Sequence, residues 1–252
     1  MRLDSFLVEN NYFKSRNKAS EAILRGEIFI DGKPCLKPSR NVDDCVKVSV
    51  IQPQKPFVSI GGNKLELAIN KLKIECSNLT FIDVGASTGG FTDCLLRRNA
   101  KKIYCVDVGE NLLDEQISSN EKVVVMDKTN ARFLTRDMFE DEVDGIVVDC
   151  SFISLEFILP PLVNLLNETG FILALIKPQF ELKERVKIKN GVLKNNKERL
   201  LVLKRLYAFA IAQGLIPQAM VCTTVDKNKN LEYIFYLKKQ GEITDFDKII
   251  VE

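Results

Sequence analysis

The sequence predicts an α/β chain in which a small α+β module precedes a larger domain built on a mostly parallel, seven-stranded sheet. Three observations lead to this prediction. Seven short apolar runs alternate with helical patterns in the second part of the chain, and a glycine-rich turn follows the first of these runs. A segment with two prolines and a Gly-Gly pair, residues 51–63, separates this part from an amino-terminal part with a different pattern. Strands that alternate with helices are typical of a sheet covered on both faces.

The amino-terminal module, residues 1–50, is predicted to contain two helices followed by a hairpin. Apolar residues recur at helical spacing in its first half, and Ser15 suits the cap position of the second helix. Alternating apolar residues on either side of a turn at Asp31-Gly32 predict paired strands. We expect the helices around 3–7 and 19–23, and the strands over 27–30 and 45–50.

The larger domain is predicted over 64–252, after the linker at 51–63. It begins with a helical pattern at 64–72. The last two strands lie on either side of the turn-forming segment 226–230, so we expect them to form an antiparallel hairpin. The seven strands are expected at 79–84, 102–108, 122–126, 143–149, 170–176, 217–223 and 232–238.

The composition excludes several kinds of protein and of chemistry. No apolar run in the 252 residues approaches the roughly 20 that span a bilayer, and 1–6 lack a signal-peptide core, so we expect a cytoplasmic protein. Seven cysteines without C-x-x-C spacing argue against a disulfide framework or a zinc site, and no metal is expected. The chain contains no histidine, which excludes a Ser-His-Asp triad and leaves proton transfer to Lys, Asp, Glu, Tyr or Cys.

Basic residues are concentrated in the amino-terminal module. It carries nine Lys/Arg against seven Asp/Glu, a difference that equals the net charge of +2 of the whole chain. A basic surface of this kind favours a polyanionic partner, and a solvated surface without a partner is the alternative. The candidate contact residues are Arg2, Lys14, Arg16, Lys18, Arg25, Lys33 and Arg40.

The amino-terminal module resembles a small RNA-binding domain that a small-subunit ribosomal protein shares with pseudouridine synthases and heat-shock RNA-binding proteins. The matching runs are 1–4, 15–19 and 23–32. Members of this family hold structured RNA through its shape and its phosphates. The resemblance implies that the seven basic residues contact RNA.

A glycine-rich loop carries the clearest ligand signature. It follows a predicted strand and precedes a helix, so it offers flexible backbone and free N–H groups to a polar ligand. Asp107 lies 22 residues past Gly85 at the end of the next strand, where a carboxylate suits a ribose diol. Ser87 stands where the dinucleotide fingerprint needs its second glycine, which disfavours a nicotinamide or flavin cofactor. The candidate loop residues are Asp83, Gly85, Ala86, Ser87, Thr88, Gly89, Gly90 and Phe91.

The spacing D-x-G-x-x-x-G-G-F resembles the loop of S-adenosylmethionine methyltransferases, whose catalytic domain is Rossmann-like. The resemblance implies that S-adenosylmethionine is the cofactor and that the loop and Asp107 bind it. Asp127, after the third strand, is a candidate acceptor for the adenine amino group, with a cap or turn role as the alternative. For the glycines alone, a tight turn without a ligand is the alternative.

Residues just past strand ends are further candidates, because ligands bind beyond the carboxyl ends of parallel strands. Asp149 ends the fourth strand without the Pro-Pro pair of base-amino methyltransferases, and we interpret the adjacent Cys150 as a buried thiol rather than a nucleophile. Lys177 ends an apolar strand before Pro178, which places an amine in the cleft. A lysine whose amine reaches solvent at a strand edge is the alternative.

Five motifs together extend the resemblance over nearly the full chain; they lie at 59–65, 83–91, 149–155, 177–181 and 230–233. The chain resembles the TlyA family of ribosomal-RNA 2′-O-methyltransferases, whose catalytic domain is related to FtsJ-type RNA methyltransferases. The resemblance implies methylation of the ribose of a cytidine. Resemblance to the family's compact subgroup implies that the substrate is large-subunit RNA. It also implies a catalytic set of Lys64, Asp149, Lys177 and Glu232.

A lysine-based mechanism agrees with the absence of histidine. A ribose hydroxyl must lose its proton as the methyl group arrives, and an ordinary lysine, with a pKa near ~10.4, needs burial or a second ammonium group to accept it. We expect Lys177 to be the base, Lys64 to assist it, and Asp149 and Glu232 to orient the amines. Base methylation, a membrane-active haemolysin and a non-catalytic ribosome assembly factor are the alternatives.

Overall fold

A computed structural model describes residues 1–24, 26–43, 46–50, 56–182, 191–224 and 229–251. The chain divides into two compact units, Met1–Pro56 and Phe57–Glu252.

The amino-terminal unit contains helices α1 (Leu3–Glu9) and α2 (Arg16–Leu24) and strands β1 (Ile28–Ile30), β2 (Lys33–Pro34) and β3 (Val48–Val50). The strands form an antiparallel sheet in the order β2-β1-β3. Ser15 Oγ accepts a hydrogen bond from the backbone N–H of Lys18 at 3.4 Å, as expected of a cap. The core of the unit consists of fully buried apolar side chains that include Leu3, Leu7, Ala19, Ala22, Ile23 and Ile28. The predicted helices and hairpin are confirmed, while Cys45, the expected start of β3, lies outside the described residues.

The second unit alternates strands and helices along its length. Its strands are β4 (Thr80–Val84), β5 (Lys102–Val106), β6 (Val123–Met126), β7 (Val143–Val148), β8 (Leu166–Ile176), β9 (Ile216–Cys222), β10 (Tyr233–Lys238) and β11 (Ile250–Val251). Its helices are α3 (Ile60–Leu72), α4 (Gly90–Arg97), α5 (Glu115–Ser118), α6 (Leu155–Val163), α7 (Pro178–Glu181), α8 (Asn196–Ala212) and α9 (Phe246–Ile249), with 3₁₀ turns at Ala131–Phe133 and Arg136–Met138.

These strands form one mostly parallel sheet in the order β11-β9-β10-β8-β7-β4-β5-β6. Strand β10 runs antiparallel between β8 and β9, which confirms the expected pairing of the last two predicted strands. Part of the turn between them, 225–228, lies outside the described residues. All seven predicted strands are present. The two-residue strand β11 is an eighth, which was not predicted because two residues carry too little alternation to be recognised.

The order of the strands locates the cleft. Strands β5 and β6 lie on one side of β4, whereas β7 and β8 lie on the other. The crossover after β4 therefore leads to β5 on one side, whereas the connection after β6 returns the chain to β7 on the other side of β4, and the loops after β4 and β7 diverge at their carboxyl ends. This switch point is where an open sheet of this kind binds ligands.

Helix α3 begins four residues earlier than predicted. Its first residue is Ile60, so 60–63 belong to the helix although the sequence analysis assigned them to the linker. Gly61 and Gly62 were read as loop-forming, but their role is to allow close packing. A Cβ at Gly62 would lie 2.4 Å from the Phe57 ring and 2.8 Å from the carbonyl oxygen of Gly90. The rest of the predicted linker, at 51–55, lies outside the described residues.

Successive residues of the central strands are buried on opposite faces of the sheet. Ile82 and Ile146 belong to the core that includes α6 and α8, and Phe81 and Val147 to the core that includes α3 and α4. Strands buried on both faces are expected in a parallel sheet covered by two helical layers. None of the helices in the described part of the chain combines the length and apolar character needed to cross a membrane.

Candidate active site

The glycine loop joins β4 to α4 at the switch point of the sheet. Gly85 and Gly89 have φ values of +80° and +90°, which favour glycine. A Cβ at Gly85 would lie 2.9 Å from the carbonyl oxygen of Asp149, and one at Gly90 would lie 2.0 Å from Ser59 Oγ. Gly85 is therefore favoured both by its backbone conformation and by the close approach of Asp149, Gly89 by its conformation and Gly90 by the close approach of Ser59.

Asp107 holds this loop through backbone hydrogen bonds. Its Oδ2 accepts from the N–H of Ser87 at 2.9 Å, and its Oδ1 accepts from the N–H of Gly109 at 2.8 Å. Strand β5 ends at Val106, so the carboxylate stands directly beyond the strand, as the sequence predicted. Both oxygens retain lone pairs that can accept further hydrogen bonds.

A cavity of about 510 Å³ opens beside the loop. Three of the predicted cofactor residues line it, namely Gly85, Ser87 and Asp107. Ala86 and Phe91 are instead buried in the core with α3 and α4. Gly89 and Gly90 are buried at the start of α4, and the exposed Thr88 accepts a backbone hydrogen bond from Asp114 at 3.2 Å.

Asp83 lies beneath the loop and has no exposed surface. Its Oδ2 accepts a hydrogen bond from Thr92 Oγ1 at 2.6 Å, and its Oδ1 is buried without a hydrogen-bond partner. Burial raises the pKa of this carboxyl to about 7, and the charges of Asp149 and Asp107 act in the same direction. Asp83 therefore supports the loop from the sheet side and does not line the cavity.

Asp127 is separated from this cavity. Its Oδ2 accepts a hydrogen bond from the N–H of Asn111 at 2.9 Å, and it lines a smaller cavity of about 260 Å³. After β6 the main cavity is lined instead by Asn130 and Arg132. Neither residue was predicted, because spacing alone does not tell which side chain of an irregular loop turns inward.

The four candidate catalytic residues form two ion pairs. Lys64 Nζ lies 2.6 Å from Glu232 Oε2, and Lys177 Nζ lies 2.5 Å from Asp149 Oδ1. Lys177 Nζ also donates a hydrogen bond to Ser151 Oγ at 2.8 Å. The side chains are largely buried, with Lys177 only 11% exposed and Glu232 14% exposed. Asp149 and Ser151 line the 510 Å³ cavity, and Lys177 contacts both of these lining residues.

Strand register explains why these residues meet. Antiparallel strands β8 and β10 pair Ile176 with Tyr233, so the preceding Glu232 lies opposite the following Lys177. The parallel strands β7 and β8 pair Val148 with Ala174. The residues that follow these two strands therefore advance along the same edge, which brings Asp149 into reach of the Lys177 amine.

Helix α3 brings Lys64 to the same edge. Gly61 lies one turn before Lys64, and a Cβ at Gly61 would lie 3.4 Å from Asp149 Oδ2. The first turn of the helix therefore packs directly against the Asp149 carboxylate.

Two further side chains line the cavity, those of Cys150 and Phe152. Burial raises the pKa of the half-buried Cys150 thiol to about 12, which agrees with a structural thiol rather than a nucleophile. Phe152 is 87% exposed at a φ of +64°, and its ring centroid lies 4.6 Å from that of Phe180. Nothing in its local sequence pattern signals this exposed aromatic pair.

Six of the seven predicted basic residues of the amino-terminal unit are described, and all six lie on its surface. Arg2 is held by Asp4 through Nε at 3.1 Å and Nη2 at 2.8 Å, and Arg16 Nη2 lies 3.3 Å from the same carboxylate. The hydrogen bond from Arg2 holds the pKa of Asp4 well below its usual range. The remaining residues of the set, Lys14, Lys18, Lys33 and Arg40, are exposed. Arg25 lies outside the described residues.

Among the described residues, no group of three or more His, Cys, Asp or Glu side chains is arranged to hold a metal ion.

Two family models match separate parts of the chain. The S4 domain model matches residues 1–48, and the FtsJ-like methyltransferase model matches residues 57–239. The chain belongs to the FtsJ-like methyltransferase family. The part that matches this family contains the glycine loop and all four candidate catalytic residues, and the family predicted from the motifs is confirmed.

Two relatives of this FtsJ-like chain carry names that state an activity. The 23S rRNA (cytidine-2′-O)-methyltransferase TlyA of Campylobacter jejuni is 33% identical over 263 residues, which cover 95% of this chain and 100% of that protein. The 16S/23S rRNA (cytidine-2′-O)-methyltransferase TlyA of Mycobacterium tuberculosis is 40% identical over 181 residues, which cover 71% of this chain and 68% of that protein.

Solved structures agree with the family. A Lactococcus lactis protein that carries a haemolysin label is 36% identical, with a TM-score of 0.73 over 79% of this chain and 95% of that chain. An S-adenosylmethionine-dependent methyltransferase from Aquifex aeolicus is 14% identical, with a TM-score of 0.52 over 72% of this chain and 94% of that chain. The second similarity shows that the FtsJ-like unit shares the fold of S-adenosylmethionine-dependent methyltransferases.

Proposed function

We propose that this chain transfers a methyl group from S-adenosylmethionine to the 2′-hydroxyl of a cytidine in ribosomal RNA. The observation that carries the proposal is the pairing of Lys64 with Glu232 and of Lys177 with Asp149 beside the cavity of the glycine loop. Membership of the FtsJ-like family and the names of two relatives support it.

The residues around the glycine loop fit S-adenosylmethionine. Asp107 borders the cavity with lone pairs to spare for ribose hydroxyls. Asp83, Asp107 and Asp149 lie close enough together for their charges to interact, and such a group disfavours an anionic pyrophosphate and favours a cation. When bound, the cofactor supplies an electrophilic methyl group on a positively charged sulfur. Ser87 and Asn130, which also line the cavity, complete the set proposed to hold it.

Lys177 is the proposed general base. The O–H bond of the ribose would break as its proton passes to Nζ of neutral Lys177, and the ribose oxygen would bond to the methyl carbon as the methyl–sulfur bond breaks and its electron pair stays on sulfur. Asp149 and Ser151 fix the position of the amine. Lys64, held by Glu232, is proposed to stabilise the negative charge that develops on the ribose oxygen.

The amino-terminal unit is proposed to bind the ribosomal RNA. Its exposed lysines and arginines suit phosphate contacts, and its match to the S4 domain supports this role. We propose large-subunit RNA as the substrate, because the relative named for 23S rRNA matches this chain over its own full length. An enzyme with this substrate acts in the cytoplasm, where ribosomes are found.

The first prediction concerns the base. Lys177→Ala should lower methyl incorporation into ribosomal RNA by at least ~100-fold at fixed cofactor occupancy, because it removes the group that accepts the proton. Radiolabelled methyl transfer measures the rate. Lys239→Ala is the matched control, since Lys239 forms surface contacts with Leu166 and Glu168 at the other end of the sheet. A rate near that of the wild type for Lys177→Ala would show that Lys177 is not the base.

Alkaline hydrolysis of the product distinguishes the two kinds of methylation. A 2′-O-methyl group removes the nucleophile of alkaline cleavage, so the linkage after the modified nucleotide should resist it. Cleavage at that linkage would indicate base methylation instead.

A further inference from the structure

Two segments that follow neighbouring strands run side by side beyond the sheet. We call them the Asp149 segment, residues 149–155, and the Lys177 segment, residues 177–181. They contact each other along their whole length, from the cavity edge to the interior. The contacts are Lys177 with Asp149 and Ser151, Phe180 with Phe152, and Glu181 with Ser154 and Leu155.

Glu181 forms the buried end of this contact. It is 3% exposed, and burial raises its pKa. Its Oε2 accepts a hydrogen bond from Ser154 Oγ at 2.6 Å, and its Oε1 accepts from the N–H of Leu155 at 2.9 Å. The carboxylate therefore joins the Lys177 segment to the first turn of α6, which begins where the Asp149 segment ends.

Arg205 on α8 holds the same carboxylate from the other side. Its Nη2 donates to the main-chain oxygen of Glu181 at 2.5 Å and lies 3.3 Å from Glu181 Oε2. Its Nε lies 3.0 Å from Glu156 Oε1 on α6. One guanidinium thus links α8 to Glu181 and to the helix that continues the Asp149 segment.

The link from Glu181 to Lys177 is short and stiff. Lys177 directly precedes α7, a single helical turn that ends at Glu181, and the N–H of Phe180 donates to the carbonyl oxygen of Lys177 at 2.8 Å. Pro178 fixes one backbone torsion of that turn. A displacement of Glu181 would therefore move the Lys177 backbone and change where its amine lies.

We propose that Glu181 is a positioning residue that sets the separation of Lys177 from Asp149 by locking the two segments together at their buried end. The inference rests on the proposed function, because it assigns Glu181 a role in the methyl-transfer step. It explains why a buried carboxylate is kept at this place. A hydrophobic residue there would leave the hydroxyl of Ser154 and the N–H of Leu155 without this acceptor.

The test compares Glu181→Gln with Glu156→Gln in the full chain. Glutamine cannot accept from both donors and form the ion pair, so the segments should separate slightly, and kcat at saturating S-adenosylmethionine and RNA should fall roughly 10- to 100-fold. The Kd for S-adenosylmethionine should stay within about twofold, because residues outside the two segments line most of the cofactor side of the cavity. Glu156→Gln removes the other carboxylate of Arg205 and should leave kcat within about twofold.

Three outcomes would overturn the inference. The first is an unchanged kcat for Glu181→Gln. The second is a fall in kcat that is accompanied by a lower melting temperature and a weaker cofactor affinity, which would indicate a purely structural role. The third is the absence of product with the wild-type chain, which would also overturn the proposed function. If Glu181→Gln does not fold, Arg205→Lys replaces it in the same comparison, because lysine keeps the charge but loses the two-point contact.

Discussion

At the scale of single residues, three carboxylates lie around the glycine loop. Asp83 is fully buried beneath it, while Asp107 and Asp149 border the cavity. Each has a defined partner: a hydroxyl for Asp83, the N–H of Ser87 for Asp107 and the amine of Lys177 for Asp149. The local field of these groups suits a cationic cofactor. Burial, together with the charges of Asp149 and Asp107, makes the charge of Asp83 costly to the folded chain.

Asp83→Asn should flatten the dependence of stability on pH. The pKa of Asp83 is raised from 3.8 to about 7 in the folded chain. The folded chain therefore holds this proton more tightly than the unfolded chain does, and the stability that Asp83 contributes below its ordinary pKa is lost as pH rises through about 7. Chemical denaturation from about pH 5 to about pH 8 should show a smaller loss of unfolding free energy in the variant than in the wild type. Parallel curves would contradict this assignment.

At the scale of elements, the active site depends on how closely α3, the glycine loop and the Asp149 segment approach each other. Gly62, Gly85 and Gly90 each stand where an added Cβ would lie less than 3.0 Å from an atom of a neighbouring residue. The first turn of α3 can therefore pack against α4 and against Asp149. The loop that is proposed to bind the cofactor is thus packed against the strand end that carries Asp149, a proposed catalytic residue.

Gly85→Ala should weaken cofactor binding. At a φ of +80°, an added Cβ would lie 2.9 Å from the carbonyl oxygen of Asp149, so the loop and the Asp149 segment must move apart. Calorimetric titration should show at least a ~10-fold higher Kd for S-adenosylmethionine. Gly214→Ala is a matched control, since Gly214 has a φ of +77° with no atom within 4 Å of an added Cβ. That control should lose about 1–2 kcal/mol of stability and keep its cofactor affinity. Equal Kd values in the two variants would contradict the close-approach argument.

The elements themselves were predictable to the extent that they carry repeating patterns. All seven predicted strands exist because each is long enough to show an apolar run, whereas β11 has two residues and shows none. The start of α3 was misplaced because Gly-Gly pairs such as Gly61-Gly62 are also common in loops. The tight packing at Gly62 depends on Phe57 and Gly90, which no local pattern identifies.

The candidate site was predictable only in part, because some of its residues are brought together by distant pairing or by the course of a loop rather than by a local pattern. Strand ends identify Asp107, Asp149 and Lys177, because parallel strands deliver their last residues to one edge. The pairing of Lys64 with Glu232 joins residues 168 positions apart, and it was expected only through the family resemblance. The position of Asn130 in the cavity depends on the course of an irregular loop, which periodicity does not encode.

At the scale of the whole molecule, the chain combines two units with different chemistry. The amino-terminal unit presents exposed basic side chains, two of them fixed by the buried carboxylate of Asp4. The FtsJ-like unit carries the cavity and the paired lysines and carboxylates. Affinity for RNA and chemistry on RNA should therefore respond to separate sets of mutations.

Arg2→Gln combined with Arg16→Gln should weaken RNA binding without changing the cofactor site. Each lost phosphate contact should reduce the slope of log K against log salt by about 0.7–1, because fewer counterions are released. Filter binding at several salt concentrations measures the slope, and Lys47→Gln is the control from the same unit. A salt slope equal to that of the wild type would exclude these arginines from the RNA contact, and a changed Kd for S-adenosylmethionine would contradict the separation of roles.

The most direct test of the account is to map 2′-O-methyl groups on both ribosomal RNAs after incubation with S-adenosylmethionine and either the wild-type chain or Lys177→Ala. The account predicts a new 2′-O-methylcytidine in large-subunit RNA with the wild-type chain, and its loss with Lys177→Ala although that variant still binds the cofactor. If the wild-type chain binds ribosomal RNA but adds no ribose methyl group, a non-catalytic assembly role is favoured and the central claim is contradicted.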